Sequence, residues 1–320
     1  MTPQTTCYRA LACLLLAALL PALATAAPRT AGGRDAVVVI ADPADLWQFT
    51  DPSLQAGLEA VLDDLGLKQA ARDGRLAVTV ADITNLDTPR VASVNGDAMM
   101  YAASLPKIAI LLGAYHKAQS LGTAIPEDLR EDVVQMIRYS SNASATRVLE
   151  WVGREDLLAL LQSPGLRLYD PEHNGGLWVG KDYASSNAFH RDPLHNLSHG
   201  ATTLQVARLF YLLEAGALLD PAHTREMKAA LGDPGIDHKF VKGLAGHPDA
   251  RIYRKSGTWK SFHADGALVE SGGRRMVLVA LAEDPRGGQW LADLAAPLHD
   301  LVLATAPGRA GDGKTSRSGR

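Results

Sequence analysis

Cysteine is almost absent from this chain of 320 residues, which has only Cys7 and Cys13. Both lie within residues 1–26, so a chain that has lost this segment contains no thiol. Such a chain has no disulfide, no cysteine nucleophile and no cysteine-ligated metal. Its stability must therefore come from a packed core, which a chain of this length can build.

An excess of charge of either sign is also missing. The chain has 32 Lys and Arg against 35 Asp and Glu, for a formal net charge of -3. Without a basic excess it lacks the electrostatic features of proteins that bind nucleic acid or anionic membrane surfaces. We therefore expect no nucleic-acid partner. The 47% hydrophobic and 21% charged residues are typical of a globular protein with one large domain or two smaller ones.

Residues 1–26 have the features of a secretory signal peptide. Arg9 precedes the apolar run 10–20, and Ala24-Thr25-Ala26 has the small-x-small form of a cleavage site. The run is too short for a membrane span and is followed by Pro21, which favours cleavage over a permanent anchor. The sequence therefore predicts a periplasmic or secreted protein with no stable membrane insertion after cleavage.

Helix-like and strand-like patterns alternate along the rest of the chain in a definite order. Residues 27–50 form a predicted linker or N-terminal segment, and residues 306–320 a predicted disordered tail. Between them come a helix, strands, an all-helical middle, a loop-like stretch at 166–201, more helices, and finally strands and a helix. This order predicts one sheet built from both chain ends, with a helical lobe inserted between its halves.

Ser104 and Lys107 are the candidate catalytic pair, and they begin a predicted helix that continues through the apolar run 108–115. Residues i and i+3 share a helix face, with Cβ atoms about 5–6 Å apart, so the amine can reach the hydroxyl. A lysine packed against apolar groups has a lowered pKa and can take the proton of a serine nucleophile. The alternative is a helix-cap serine followed by a surface lysine.

Two further patterns follow the candidate pair in sequence. Ser140-Ser141-Asn142 lies at the junction of two predicted helices, and Lys255-Ser256-Gly257 lies in a predicted strand. Each pattern is common alone, but Ser-x-x-Lys, Ser-Asp-Asn and Lys-Thr-Gly occur together in one group of serine acyltransferring enzymes. Their combination in the same order, on the expected kinds of element, is specific.

Residues 50–305 therefore resemble the class A serine β-lactamases and their penicillin-recognising relatives. The resemblance implies an α/β (α+β) fold of the β-lactamase/transpeptidase type, with an antiparallel sheet, helices on its faces and an inserted helical lobe. We accordingly expect a catalytic domain at 51–305, with the lobe at about 105–240. The resemblance also implies a serine hydrolase that needs no cofactor.

The family resemblance assigns a role to each matching residue. Ser104 is the acylating nucleophile, Lys107 its proton acceptor, and Ser140 the donor of a proton to the leaving nitrogen. Asn142 hydrogen-bonds the substrate amide. The residues expected to bind the substrate carboxylate and the rest of the substrate are Lys255, Ser256, Gly257 and Thr258.

The sequence departs from the family where the deacylating base is expected. Class A enzymes have Glu-x-x-Leu-Asn on a long loop, whereas this chain has Asp170-Pro-Glu-His-Asn174. Asp170 and Glu172 are both candidates for activating the deacylating water, and Asn174 is a candidate substrate-binding residue. The alternative is that both acids simply solvate the loop. The same loop contains Trp178 and Tyr183, which either line a substrate groove or anchor the loop.

Other departures concern the core patterns and the wall of the cleft. Ser141 replaces the central Asp of Ser-Asp-Asn, and Ser256 keeps a hydroxyl at the middle of Lys-Thr-Gly. The segment between Ser104 and Ser140 is also shorter than usual for class A, which predicts a more open cleft.

Three histidines of the loop, at positions 190, 195 and 199, raise the question of a metal. His195 and His199 have helical i, i+4 spacing, but the His-Glu-x-x-His pattern is absent and Pro193 argues against one helix. We therefore predict no metal site.

Three functions fit these observations. The leading one is hydrolysis of β-lactam amides by an exported, monomeric enzyme, which would give antibiotic resistance. The first alternative is a D-alanyl peptidase or esterase of the same fold, acting on a peptidoglycan peptide or another small molecule. The second is a penicillin-binding protein that acylates and deacylates poorly.

Overall fold

The computed structural model describes residues 45–305. The predicted signal peptide, most of the predicted linker and the predicted tail at 306–320 lie outside the described residues. Within them, the chain begins with a short 3-10 helix, Leu46–Phe49, whose Leu46 side chain is buried.

Ten strands and ten α-helices follow in the described residues. The strands are β1 Leu76–Asp82, β2 Arg90–Val94, β3 Met100–Tyr101, β4 Tyr169–Asp170, β5 Gly175–Gly176, β6 Trp178–Val179, β7 His199–Ala201, β8 Arg251–Trp259, β9 Phe262–Ser271 and β10 Arg274–Glu283. The helices are α1 Pro52–Asp64, α2 Lys68–Arg72, α3 Lys107–Ser120, α4 Glu127–Arg138, α5 Asn142–Val152, α6 Arg154–Leu161, α7 Thr203–Glu214, α8 Pro221–Leu231, α9 Phe240–Gly243 and α10 Gly287–Ala304.

The main sheet combines strands from both ends of the described chain. Its order is β2-β1-β10-β9-β8, and each neighbouring pair is antiparallel. Leu76 lies opposite Ala282, so the first long strand pairs directly with the last. The prediction of one antiparallel sheet with an inserted helical lobe is confirmed.

Apolar side chains cover both faces of this sheet, because the β1 and β10 strands are almost continuously apolar rather than alternating. One face packs against α1 and α10 through residues such as Leu58 and Leu294. The other face packs against the helical lobe through residues such as Ile108 and Phe210. Two cores thus fix the sheet, and β8 is left as an edge strand beside the lobe.

Local capping explains several helix starts. The Asp51 carboxylate accepts from the backbone N–H of Leu54 at the start of α1, and the Thr202 hydroxyl accepts from Gln205 at the start of α7.

Three features differ from the prediction. The helix expected at Ser104 begins at Lys107, and Ser104 lies in the turn that precedes it. The loop-like stretch 166–201 contains the short strands β4 to β7, and the short helix α9 was not predicted. These short elements have too few residues to show a periodicity. In the part of the chain that the structure describes, no helix has the length and apolarity needed to cross a bilayer.

Candidate active site

Ser104 lies in the turn between β3 and α3, at the edge of a cavity of about 770 Å³. The preceding residue, Ala103, has φ +51°, a left-handed conformation that is unusual for alanine and occurs often at functional turns. The lining of the cavity includes Ser104, Asn142, Asp182, Tyr183, Ser185, His199 and Thr258. The cavity thus brings together the predicted nucleophile and two of the predicted substrate-binding residues.

The Lys107 side chain is fully buried behind this cavity. Its Nζ donates to the backbone carbonyl of Ser140 at 2.6 Å and to the amide oxygen of Asn142 at 2.7 Å. Burial lowers the pKa of Lys107 from 10.5 to about 7. A neutral amine has two N–H groups and one lone pair, so these two acceptors occupy both N–H groups and leave the lone pair free.

The predicted direct contact between Lys107 and Ser104 is not made. Among the hydrogen bonds of residues 45–305, none joins Lys107 Nζ to the Ser104 hydroxyl, because the amine is turned toward the α4–α5 junction. The two residues remain one turn apart, with the Lys107 N–H donating to the Ser104 carbonyl at 3.2 Å. A proton can move between them after a side-chain rotation, or through the neighbouring Ser140.

The Ser140 hydroxyl lies between two lysine amines. Lys255 Nζ is 3.0 Å away and Lys107 Nζ is 3.5 Å away. Ser140 has φ +61°, a strained conformation that turns its carbonyl toward Lys107, while Ser141 caps α5 by accepting from the Ser144 N–H. The hydroxyl is therefore placed to pass a proton, and the helix junction fixes its position.

Lys255 is buried in the edge strand β8. Its Nζ also donates to the Ser256 carbonyl at 2.7 Å. Burial lowers the pKa of Lys255 well below its usual range, and the nearby charges of Lys107 and Arg254 lower it further. The Ser256 hydroxyl is paired with His238 Nε2 at 3.1 Å.

The backbone of β8 runs directly against the turn that carries Ser104. A Cβ on Gly257 would lie 2.7 Å from the Ser104 nitrogen, so only glycine permits this approach. The Ser256 carbonyl points away from β9, since it accepts from Lys255. Alternate residues of a strand present their backbone groups to the same side, so the Thr258 N–H faces the open edge as well. The Ser104 nitrogen lies against this edge, so the N–H groups of Ser104 and Thr258 are the candidates for binding an oxyanion.

A third buried lysine, Lys239, supports this edge from behind and was not predicted from the sequence. Its Nζ donates to the Gly257 carbonyl, to the Thr258 hydroxyl at 2.8 Å and to the Ala264 carbonyl at 3.1 Å. Burial lowers the pKa of Lys239 to about 8, while Asp265 opposes this shift. No pattern in the surrounding residues 232–250 signals that this lysine is buried.

Of the two aromatic residues considered at the loop, Tyr183 lines the cavity, whereas Trp178 is buried and is not among the described lining residues. The Tyr183 hydroxyl donates to the Ala103 carbonyl at 3.2 Å, and its ring lies 4.5 Å from Lys107 Nζ. The His199 ring lies 4.2 Å from the Tyr183 ring, and burial lowers the pKa of His199 to about 4. His199 is therefore neutral at pH 7.

Asp170, Glu172 and Asn174 are not among the described residues that line the cavity. The loop folds there as a β4–β5 hairpin, so the Asp170 carboxylate caps its turn by accepting from the Glu172 N–H. Arg167 and His173 also hydrogen-bond Asp170. Burial alone would raise the pKa of Asp170, but the hydrogen bonds from His173, Arg167 and the Glu172 N–H outweigh it and lower the pKa. Glu172 is exposed, and the Asn174 amide donates to the Asp97 carbonyl.

Asp182 is the one carboxylate among the described lining residues of the cavity. Both of its oxygens accept from the Arg154 guanidinium, at 2.7 and 2.8 Å. A carboxylate held in this way is a weak candidate for activating water.

The three loop histidines have separate partners. His190 lies 3.6 Å from Glu155, His195 contacts the Asn174 side chain at 3.0 Å, and His199 contacts the Lys181 carbonyl at 2.9 Å. They do not converge on one point.

Comparison with known proteins gives a consistent family assignment. The family model described as the beta-lactamase enzyme family matches residues 127–302, more than half of the chain. A search of the curated proteins found none that matches. Among solved structures, a beta-lactamase from Sphaerobacter thermophilus is 17% identical, with a TM-score of 0.60, and the match covers 80% of this chain and 98% of that one.

Two further solved structures have the same degree of likeness. PBP-A is 17% identical with a TM-score of 0.59, covering 80% of this chain and 97% of that one. A class A beta-lactamase from Bacteroides cellulosilyticus is 16% identical with a TM-score of 0.60, and the match covers 79% of this chain and 100% of that one. At this identity the likeness shows the fold.

Proposed function

The chain belongs to the beta-lactamase enzyme family, with the class A fold, and from this premise we propose that it hydrolyses β-lactam amides through an acyl-enzyme at Ser104. The observation that carries the proposal is the state of Lys107. Burial favours the neutral amine of Lys107, and both of its N–H groups donate hydrogen bonds to Ser140 and Asn142. The remaining lone pair lies one helical turn from Ser104, in the wall of a substrate-sized cavity.

In the proposed acylation, Ser104 Oγ attacks the amide carbonyl carbon and its proton passes to Lys107 Nζ. The N–H groups of Ser104 and Thr258 stabilise the negative oxygen of the tetrahedral intermediate. When the carbon–nitrogen bond breaks, the Ser140 hydroxyl gives its proton to the leaving nitrogen and regains one from a neighbouring lysine amine. The 3.0 and 3.5 Å distances from Ser140 to the two amines support this route.

Substrate binding in this proposal uses the open edge of β8. Thr258 and Asn142 line the cavity, and the buried amines of Lys255 and Lys239 lie behind it. A carboxylate on the substrate would complement this side of the site, as the family resemblance implies for Lys255. We also propose that the protein is exported, on the basis of residues 1–26, and that it acts as a monomer.

A second candidate function is a penicillin-binding protein, or a peptidase, with slow deacylation. The observation that favours it is the absence of a free carboxylate among the described lining residues, because Asp182 is bound by Arg154 and Asp170 lies in the hairpin turn. Without a base to activate water, an acyl-enzyme would persist.

One experiment separates these functions. The purified protein is incubated with a chromogenic cephalosporin while both absorbance and intact mass are followed. Sustained turnover supports the β-lactamase, whereas a stoichiometric, long-lived adduct supports the slow-deacylating protein. Both signals should disappear in Ser104→Ala and persist in Ser185→Ala, a serine that lines the same cavity. Absence of both signals in the unaltered protein would refute β-lactam acylation.

A further inference from the structure

A cluster of potential metal ligands lies apart from the Ser104 cavity. His299 and Asp300 belong to α10, and His247 follows α9, which packs against α10. One ligand atom from each residue lies within 4.8 Å of the other two. None of the three lines the Ser104 cavity as described above.

The hydrogen bonds of His299 determine which of its nitrogens carries a hydrogen. The Ser271 hydroxyl donates its single proton to Asp249 at 2.8 Å, because a carboxylate only accepts. The same hydroxyl lies 2.9 Å from His299 Nε2, and it can only accept there. Nε2 therefore carries a hydrogen, and a neutral His299 has its lone pair on Nδ1.

The Nδ1 lone pair of His299 faces a lone pair of the Asp300 carboxylate. His299 Nδ1 lies 2.9 Å from Asp300 Oδ1, and neither atom has a hydrogen to share when the imidazole is neutral and the carboxylate ionised. Such an arrangement requires a cation between the two atoms, which is either a proton on Nδ1 or a metal ion.

His247 distinguishes a metal site from a simple ion pair. Its Nε2 lies 3.7 Å from the same Asp300 oxygen, too far for a hydrogen bond, and its ring lies 4.1 Å from the His299 ring. Two imidazole nitrogens and a carboxylate oxygen are a ligand set that Zn²⁺ takes, with water in the fourth position. The Ser271–Asp249 pair orients His299 as outer hydrogen-bond partners orient metal-binding histidines.

We propose that His247, His299 and Asp300 bind a divalent transition-metal ion, with Zn²⁺ the best suited, at a site that joins α10 to the segment after α9. His299 is buried, whereas His247 is half-buried and Asp300 is exposed, so the ion has access from solvent. The proposal does not depend on the function of Ser104.

The test uses the chain without an affinity tag, treated with a chelator and then titrated with Zn²⁺ by calorimetry. We expect one ion per chain and, at a hundredfold excess over the dissociation constant, a melting temperature raised by about 5–10 °C. Co²⁺ should give the visible absorption bands of a tetrahedral site.

His247→Ala and Asp300→Ala change accessible side chains, so both variants should fold, and each should lose the Co²⁺ bands and the thermal shift. The matched control is His223→Ala, since His223 forms a His–Asp pair with Asp220 at 2.8 Å and, among the residues that the structure describes, has no third ligand beside it. Lack of Zn²⁺ binding, or binding that survives both site variants, would overturn the proposal and leave a protonated His299 paired with Asp300.

Discussion

The proton acceptor is the part of the proposed mechanism that can be tested most sharply. Only the neutral amine of Lys107 can take the Ser104 proton, so the acylation rate should rise with pH through the pKa of Lys107. With a pKa of about 7, the neutral fraction is about nine-tenths at pH 8, about one-tenth at pH 6 and about one-hundredth at pH 5. Acylation should therefore fall about tenfold per pH unit below neutrality.

The assay is the rate of adduct formation, followed by stopped-flow absorbance and quenched intact mass between pH 5 and pH 9. Lys107→Met should lower the rate at pH 8 by about 10²–10⁴-fold. It should also remove the acid limb of the pH profile, which is the tenfold fall in rate per pH unit below neutrality. Lys107→Arg should be as slow, because a guanidinium keeps the charge but cannot accept a proton.

The matched control is Lys117→Met, in the same helix. The Lys117 amine donates to the Trp151 carbonyl at 2.5 Å, and this residue does not line the Ser104 cavity, so the limb should stay in place. Activity in Lys107→Arg close to that of the unaltered protein, or an acid limb that persists in Lys107→Met, would refute the assignment of Lys107 as base.

Two other predictions concern residues that are not among the described lining residues of the cavity. Asp170→Asn should change the rate of acyl-enzyme clearance by less than about twofold but lower the free energy of unfolding by about 1–3 kcal/mol, because it weakens the hydrogen bonds to Arg167 and His173. Adduct decay and denaturant unfolding measure the two effects, with Glu172→Gln, at an exposed position, as the control. Strongly slowed clearance would restore Asp170 as the base. Lys239 holds the carbonyl of the peptide whose N–H belongs to Thr258, so Lys239→Met should lower kcat by about 10-fold or more and Lys239→Arg should recover part of it. We expect kcat to fall at alkaline pH near the Lys239 pKa of about 8, and this fall should move to higher pH in Lys239→Arg. The other titratable or charged groups of this pocket are Arg254, Asp265, His238 and His263. An alkaline fall that stays at the same pH would contradict this role.

Sequence patterns were sufficient to predict the fold class and the order of the helices and strands. The long, strongly patterned segments of the chain form α1, the strands β1 and β8 to β10, and the helices of the lobe in the predicted order. Such segments carry enough residues for periodicity and capping to decide the local structure. The Ser140-Ser141-Asn142 junction and the Lys255-Ser256-Gly257 strand were identifiable for a related reason, since each motif lies within a few consecutive residues.

Tertiary structure alone decided what those residues contact. Lys107 points at the α4–α5 junction rather than at Ser104, because the carbonyl of Ser140 and the amide oxygen of Asn142 approach it from 33 and 35 residues away. The Asp170 carboxylate accepts from the Glu172 N–H within the β4–β5 hairpin turn, so local hydrogen bonds hold it there rather than in the cavity where its place in the motif predicted it. The burial of Lys239 and the meeting of His247 with His299 leave no local pattern, because burial and convergence are made by packing between segments that are distant in the chain.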